Sequence, residues 1–237
     1  MSSLSNVHVS QHPCLLAKLS QLRSGRTSAK EVKALVHEIS LILGCEALGS
    51  VMTAALGTQD ETPLGFPYKS HAVAPADLSL VPILRSGLGM VEAVQTLLPV
   101  PVPVHHLGLY REPTTLEPVE YYNNLPNAAG SGSGSGSGAG AGSKLSIILD
   151  PVIATGGTCA AAIQTLREWG AERIVVLAVL GAEPGVRRAA TEWPEGAEIW
   201  IAGVDPELTD AGMLKPGLGD VGDRLFLTIG NLPVITQ

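Results

Sequence analysis

A short apolar strand, Leu145 to Leu149, ends on Asp150 and runs through Pro151, Val152, Ile153, Ala154, Thr155, Gly156, Gly157 and Thr158 into a stretch with helical spacing, Cys159 to Trp169. No other feature constrains the fold of this chain as strongly. The first N–H groups of a helix have no partner inside it, and the positive end of the helix dipole lies behind them. A glycine-rich turn at that place therefore lets a phosphate approach the backbone closely. Thr155 and Thr158 add hydroxyl donors. Ile163 and Leu166 share one helix face, Gly170 stands where the helix should stop, and Ile174 to Leu180 supplies a second apolar strand. Strand, turn, helix and strand in this order predict a crossover unit of a parallel sheet.

Asp150 narrows what the turn holds. A carboxylate facing a phosphate is repelled by roughly 4 kcal/mol for unit charges about 4 Å apart at an effective dielectric near 20. The acid is therefore expected to serve ribose hydroxyls, or a divalent cation that the phosphates also hold. An ordinary strand-to-helix turn with Asp150 as a local cap is the alternative at this point. The glycines followed by Lys-Ser/Thr that mark nucleoside triphosphatases are absent.

With 237 residues, 45% of them hydrophobic and only 16% charged, the chain can bury a sizeable core. The reading is one domain over residues 1–237, interrupted by a flexible Gly/Ser/Ala loop, Gly130 to Ser143, that has too little apolar surface to offset its ordering entropy. A net charge of −7 argues against nucleic acid as a main partner. Cys14, Cys45 and Cys159 are odd in number and far apart, which suits a reducing compartment and offers no zinc-ligand spacing. The polar N-terminus lacks an apolar signal core, and no uninterrupted apolar stretch nears the roughly 20 residues that span a bilayer. The expectation is a cytoplasmic protein without a membrane partner.

Elsewhere the chain alternates. Leu15, Leu19 and Leu22 predict a first helix. A second is predicted from Ser28 to Leu43, capped by Thr27 or Ser28 and stopped by Gly44. Gly57 to Ala76 reads as a loop or irregular hairpin, Leu78 to Leu84 as a strand, Gly87 to Leu98 as a helix, Val102 to Leu109 as extended, and Ala197 to Val204 as a late strand. His105 and His106 are adjacent on an extended segment, so they point to opposite faces and make no metal pair. Trp169, Trp193 and Trp200 are expected to pack rather than stack on a base, and Leu88, Met90 and Val91 to serve as core or subunit contacts.

In the tail, Gly217, Gly219 and Gly222 satisfy the spacing of a dinucleotide fingerprint. That fingerprint follows a first strand, opens a helix and has an acid about 20 residues on. Here 15 residues remain after Gly222, and Leu225 to Ile229 reads as a strand, so the fingerprint is rejected. The glycines do allow the backbone to approach a flat ligand and read its edge.

Four blocks taken in order resemble the uracil phosphoribosyltransferase family, of the type I phosphoribosyltransferases. They are Val81-Pro82-Ile83-Leu84-Arg85-Ser86-Gly87-Leu88-Gly89-Met90; Leu109-Tyr110-Arg111 with Thr115-Leu116-Glu117-Pro118-Val119; Asp150 to Thr158; and Pro216 to Arg224. The resemblance spans about His12 to Gly230. It implies an α/β fold with a type I phosphoribosyltransferase-like parallel sheet flanked by helices, a base-binding hood and a β-arm. It also implies transfer of the phosphoribosyl group of 5-phosphoribosyl 1-diphosphate (PRPP) to uracil, giving uridine 5′-monophosphate and diphosphate in pyrimidine salvage. Asp150 to Thr158 would hold the ribose and 5′-phosphate, Arg85 and Arg111 the diphosphate, and Leu214, Gly219, Asp220 and Val221 the uracil, with Asp220 also facing PRPP. Arg85, Arg111, Asp150 and Asp220 are the catalytic candidates. In related transferases the loop holding Arg85 contains a strained peptide bond.

The chain also departs from its relatives. Asp150-Pro151 stands where more general phosphoribosyltransferases have two adjacent acids, a difference that resembles the uracil branch and implies that magnesium arrives with the diphosphate and water. Leu214 and Val221 replace an isoleucine and an alanine common at these places, and the bulk of Val221 would tighten or shift the slot. The segment Gly25 to Lys30 is less basic than usual. The resemblance further implies a homodimer or higher homo-oligomer, with GTP as a candidate effector. The alternatives are a catalytically silent homologue, or a nucleotide-sensing, RNA-binding regulator of the same fold.

Overall fold

Five consecutive apolar residues, Leu145–Leu149, have no polar face to show to water, and the strand they form is buried on both sides. The computed structural model describes residues 4–112, 118–126 and 142–228. In chain order its elements are β1 (Val7–Val9), α1 (Pro13–Arg23), α2 (Ala29–Val51), β2 (Thr53–Glu61), β3 (Pro67–Ala74), β4 (Leu78–Leu84), α3 (Leu88–Leu97), β5 (Leu107–Arg111), β6 (Pro118–Asn123) and β7 (Leu145–Leu149). There follow β8 (Val152–Ile153), α4 (Gly157–Trp169), β9 (Arg173–Ala178), β10 (Leu180–Ala182), α5 (Glu183–Ala190), β11 (Ala197–Ile201), β12 (Val204–Asp205), β13 (Glu207–Leu208), β14 (Leu214–Lys215) and α6 (Val221–Phe226).

The central sheet has the order β1-β11-β9-β7-β4-β5-β6. Every neighbouring pair is parallel except β5 and β6. Alternation along the strands separates two cores. Leu145, Ile147 and Leu149 join Leu78, Leu80, Val175 and Leu177 beneath α1, α2 and α3. Ile148 joins Val81, Ile83, Ile174 and Val176 beneath α4 and α5. This is the layered arrangement a parallel sheet requires, with helices on both faces. Met90 is fully buried, Val91 packs against the first core, and Leu88 is partly exposed, at 41%.

Several expectations change. The second helix does not stop at Gly44 but runs to Val51. A Cβ on Gly44 would lie 2.7 Å from Leu97 Cδ1 on α3, so this glycine lets two helices approach rather than ending one. Ser28 caps the helix as expected, in a reciprocal box with Glu31. Half of the most apolar window of α2 is buried inside the protein, although its length and hydropathy alone would suit a membrane span.

Leu225 to Thr228 do not form a strand, and Ile229 lies outside the described residues. Val221 and Leu225, four residues apart, are both buried against the first core in α6, and Asp220 caps that helix by accepting from the Asp223 N–H at 3.0 Å. The fingerprint remains rejected, because the glycines follow the two-residue β14 rather than a strand of the main sheet. The strand expected over Ile174 to Leu180 divides into β9 and β10, and the one expected over Ala197 to Val204 ends at Ile201, with Val204 in β12; β10 and β12 lie with β8 in a separate three-stranded sheet. Finally, the flexible loop expected over Gly130 to Ser143 does not extend to its last residue. Ser143 is buried, 2.8 Å from both Ser79 and Ser146 hydroxyls; the rest of that segment up to Ala141 lies outside the described residues.

Candidate active site

Asp150 leaves the buried centre of the sheet at the C-terminal end of β7, where a parallel sheet gathers its ligand-binding loops. Its side chain is buried, and burial pushes its carboxyl up to about 7, partly opposed by a hydrogen bond from the Val152 backbone. The turn beyond it wraps a niche of about 70 Å³ lined by Asp150, Val152, Ile153, Ala154, Thr155, Gly156, Thr158 and Cys159. Gly156 precedes α4 at φ 78°, a left-handed conformation that costs a residue with a Cβ about 1–2 kcal/mol. Gly157 opens the helix, and Pro151 holds β10 in place by accepting from the Leu180 N–H at 3.0 Å. Cys159 is buried on the first turn of α4, and burial, then the charge of Asp150, holds its thiol well above the usual range.

The turn is held from behind. A Cβ on Gly185 of α5 would lie 1.9 Å from the Ala154 carbonyl oxygen, and one on Gly156 would lie 2.2 Å from the Gly185 carbonyl oxygen. Loop and helix thus meet backbone to backbone.

Next to the niche, and sharing Val152 and Ala154 with it, is a cleft of about 380 Å³. One wall is Leu84, Arg85 and Ser86 after β4, a second is Leu109, Tyr110 and Tyr121 from β5 and β6, and a third is Met213 with Gly219 to Gly222. The Leu84–Arg85 peptide is cis. Arg85 is 3.9 Å from Asp223 of α6. Arg111 ends β5, but its side chain lies outside the described residues, as do Thr115, Leu116 and Glu117.

The glycine-rich tail that forms the third wall is tied down from outside the cleft. Asp205, buried at the end of β12, takes a two-pronged contact from Arg23 at 3.0 and 2.6 Å and accepts from the Gly217 N–H at 2.8 Å. Arg23 also donates to the Gly217 carbonyl at 2.9 Å. Arg224 donates to Leu22, Leu218 and Ser24 carbonyls at 2.6, 2.7 and 2.9 Å, and burial lowers its pKa. Behind this tail, bounded also by Gly25 to Ala29, is a further cavity of about 520 Å³.

One end of the site therefore presents helix N–H groups and an acid, the other a backbone-lined slot, with an arginine between. The sequence model described as uracil phosphoribosyltransferase matches residues 9–228. The chain belongs to the uracil phosphoribosyltransferase family. A uracil phosphoribosyltransferase of Roseiflexus sp. (strain RS-1) is 42% identical over 228 residues, 95% of this chain and all of that protein. One of Bacillus cytotoxicus is 37% identical over 225 residues, again spanning all of that protein. Among solved structures, the AQ2163 protein from Aquifex aeolicus superposes with a TM-score of 0.80 at 29% identity, covering 93% of this chain and 97% of that one.

Within this uracil phosphoribosyltransferase fold, Arg85, Gly219, Asp220 and Val221 share the cleft, while Asp150 and Thr155 to Thr158 gather at the adjoining niche and helix start. Leu214 does not line the cleft: it pairs with Leu208 across β14 and β13 and packs on the first core, and the neighbouring Met213 lines the cleft instead. His105 packs edge-on to Trp169 with centroids 5.4 Å apart, Trp200 stacks on His8, and Trp193 lies under Arg167. No group of three His, Cys, Asp or Glu side chains converges among the described residues. Sequence reasoning did not single out Asp205, Arg23, Gly185, Met213 or Tyr121 as parts of the site. Only Gly185 carried a local signal, a glycine in the first turn of a helix.

Proposed function

We propose that this protein transfers the 5-phosphoribosyl group of PRPP to N1 of uracil, forming uridine 5′-monophosphate and releasing diphosphate, and that residues 1–237 work as one such domain. The observation that carries the reading is the single cleft in which the arginine after β4, the edge of the phosphate turn and the glycine-rich base segment meet. Membership of the family supports the same reading.

In this assignment the 5′-phosphate sits on the N–H groups at the start of α4, with Thr155 and Thr158 donating from their hydroxyls and Gly156 leaving room for the oxygens. Asp150 accepts from the ribose hydroxyls, an interaction that favours its ionised form and the positive character that grows at the anomeric carbon. Arg85 and Arg111 hold the departing diphosphate through charged hydrogen bonds. Uracil enters the slot at Gly219 to Val221, where fixed backbone donors and acceptors select its amide-like edge against bases that lack it. Asp220 orients the base, and Met213 takes the place in the lining expected of Leu214. N1 attacks the anomeric carbon as the C–O bond to diphosphate breaks, and the N1 proton leaves toward solvent. Positioning and charge stabilisation supply the rate, with no covalent step on the protein.

Magnesium chemistry is assigned to the substrate. A lone carboxylate followed by Pro151 is no resident octahedral cage, whereas diphosphate oxygens and water are suited to the ion. When bound, it neutralises charge on the leaving group. A homo-oligomer is part of the proposal, supported by Leu56, Leu64 and Phe66, exposed on the β2–β3 hairpin; GTP activation remains an expectation of the family resemblance.

The test is formation of uridine 5′-monophosphate and diphosphate from PRPP and magnesium, with uracil, cytosine, hypoxanthine and adenine offered separately and with or without GTP. Uracil-only turnover is the expected outcome. Turnover with a purine refutes the base slot, and silence with every base refutes the activity.

A further inference from the structure

We propose that Tyr121 is a further substrate-binding residue whose phenol hydroxyl donates to the diphosphate end of PRPP; the inference rests on the cleft assignment above. Of the described residues that line the cleft, Arg85 is the one cation and Asp220 the one anion. A ligand that brings several negative charges therefore needs neutral donors as well, and the wall made by β5 and β6 supplies them. Tyr110 and Tyr121 both line the cleft, are 47% and 55% exposed, and have ring centroids 6.1 Å apart.

The Tyr121 ring is held in position. A Cβ on Gly108 would lie 2.7 Å from Cε2 and Cζ of Tyr121, so the ring lies across β5 at a residue that has no side chain. The ladder between β5 and β6 shifts register between Gly108 and Leu109, an irregularity of the kind that re-aims a side chain. Gly108, over which the ring lies, pairs in the β4–β5 ladder with Leu84, the residue before Arg85, which sets the ring beside Arg85 at the end assigned to the leaving group. An exposed tyrosine seated in this way loses little conformational entropy when it binds a ligand.

The experiment compares full-length wild type with Tyr121→Phe, Tyr121→Ala and Gly108→Ala. It measures binding of diphosphate with magnesium by calorimetry, and KM for PRPP and for uracil separately. Loss of one hydrogen bond to a charged ligand predicts about tenfold weaker diphosphate binding for Tyr121→Phe. The KM for PRPP should rise in step and the KM for uracil change less than about twofold. Gly108→Ala, which touches no substrate, should reproduce this by displacing the ring. Tyr121→Phe that binds diphosphate as wild type does, while wild type turns over normally, overturns the inference and leaves the site reading intact. The same holds if only Tyr121→Ala has an effect and that effect is on uracil, since the ring then packs on the base. Wild type that neither binds diphosphate nor turns over overturns the site reading and this inference together.

Discussion

Replacing Gly185 by alanine tests whether the phosphate turn owes its shape to the helix behind it. The added Cβ would stand 1.9 Å from the Ala154 carbonyl oxygen, 2.8 Å from its carbon and 2.9 Å from the Gly156 nitrogen, whereas ordinary contact begins at 3.4 Å. About 1.5 Å must therefore open between α5 and the turn, and every obstructing atom is backbone, so no side-chain rotation relieves it. Alanine favours helix over glycine by up to about 1 kcal/mol, but overpacking of this kind costs about 1–3 kcal/mol. The melting temperature should fall by a few degrees, at about 2–4 °C per kcal/mol for a chain of this size. The kinetic effect should be larger. A displacement of about 1 Å in a positioning element costs about 100-fold, so kcat/KM for PRPP should fall by about that factor while the α4 helix stays folded. Initial rates against PRPP at saturating uracil, with thermal unfolding alongside, measure both. Gly49→Ala is the control: it is exposed in α2 with nothing within 4 Å of the new Cβ, and should gain up to about 1 kcal/mol with unchanged kinetics. A Gly185→Ala enzyme with wild-type kcat/KM for PRPP would show that the turn does not depend on this contact.

Asp150 carries a pH signature. Its folded pKa, about 7, is above the ordinary 3.8, so between these values the native chain holds a proton that the unfolded chain has released. Stability then falls as pH rises from about 4 to 7, by about 4 kcal/mol at most. Asp150→Asn should remove that slope in denaturant titrations, and should also abolish the rise in kcat/KM for PRPP through pH 7 that an ionised acceptor for ribose requires. Asp205→Ala leaves the Arg23 guanidinium and the Gly217 N–H without their carboxylate. It should cost about 3–5 kcal/mol in chemical unfolding and raise the KM for uracil more than that for PRPP. Val221 is 6% exposed and both lines the cleft and packs in the core. Val221→Ala should lose about 1–2 kcal/mol and improve turnover of 5-substituted uracils relative to uracil, and an unchanged preference would place the base elsewhere.

What the sequence determined by itself is concentrated where short-range rules act. The apolar strand before Asp150, the glycines at the turn, the reciprocal cap at Ser28 and Glu31, and the stop at Gly170 each follow from a few neighbouring residues, whose hydrogen-bonding and steric needs are local. The layered parallel sheet follows from the repeated succession of such units. The roles of Arg85 and of the glycine-rich tail came from the family resemblance rather than from spacing, because an arginine on a loop is ordinary unless its surroundings are known.

The tertiary structure decided the rest. Gly44 reads as a helix stop until α3 lies against it, and the run from Leu225 reads as the start of a strand until α2 offers a face for Val221 and Leu225. Met213 rather than Leu214 lines the cleft because Leu214 is taken up by its pairing with Leu208 and by packing on the first core. Gly185 meets Ala154, and Asp205 meets Arg23, across long stretches of chain. In each case the deciding energy is a contact with a distant segment, steric or electrostatic, which no local window of sequence contains.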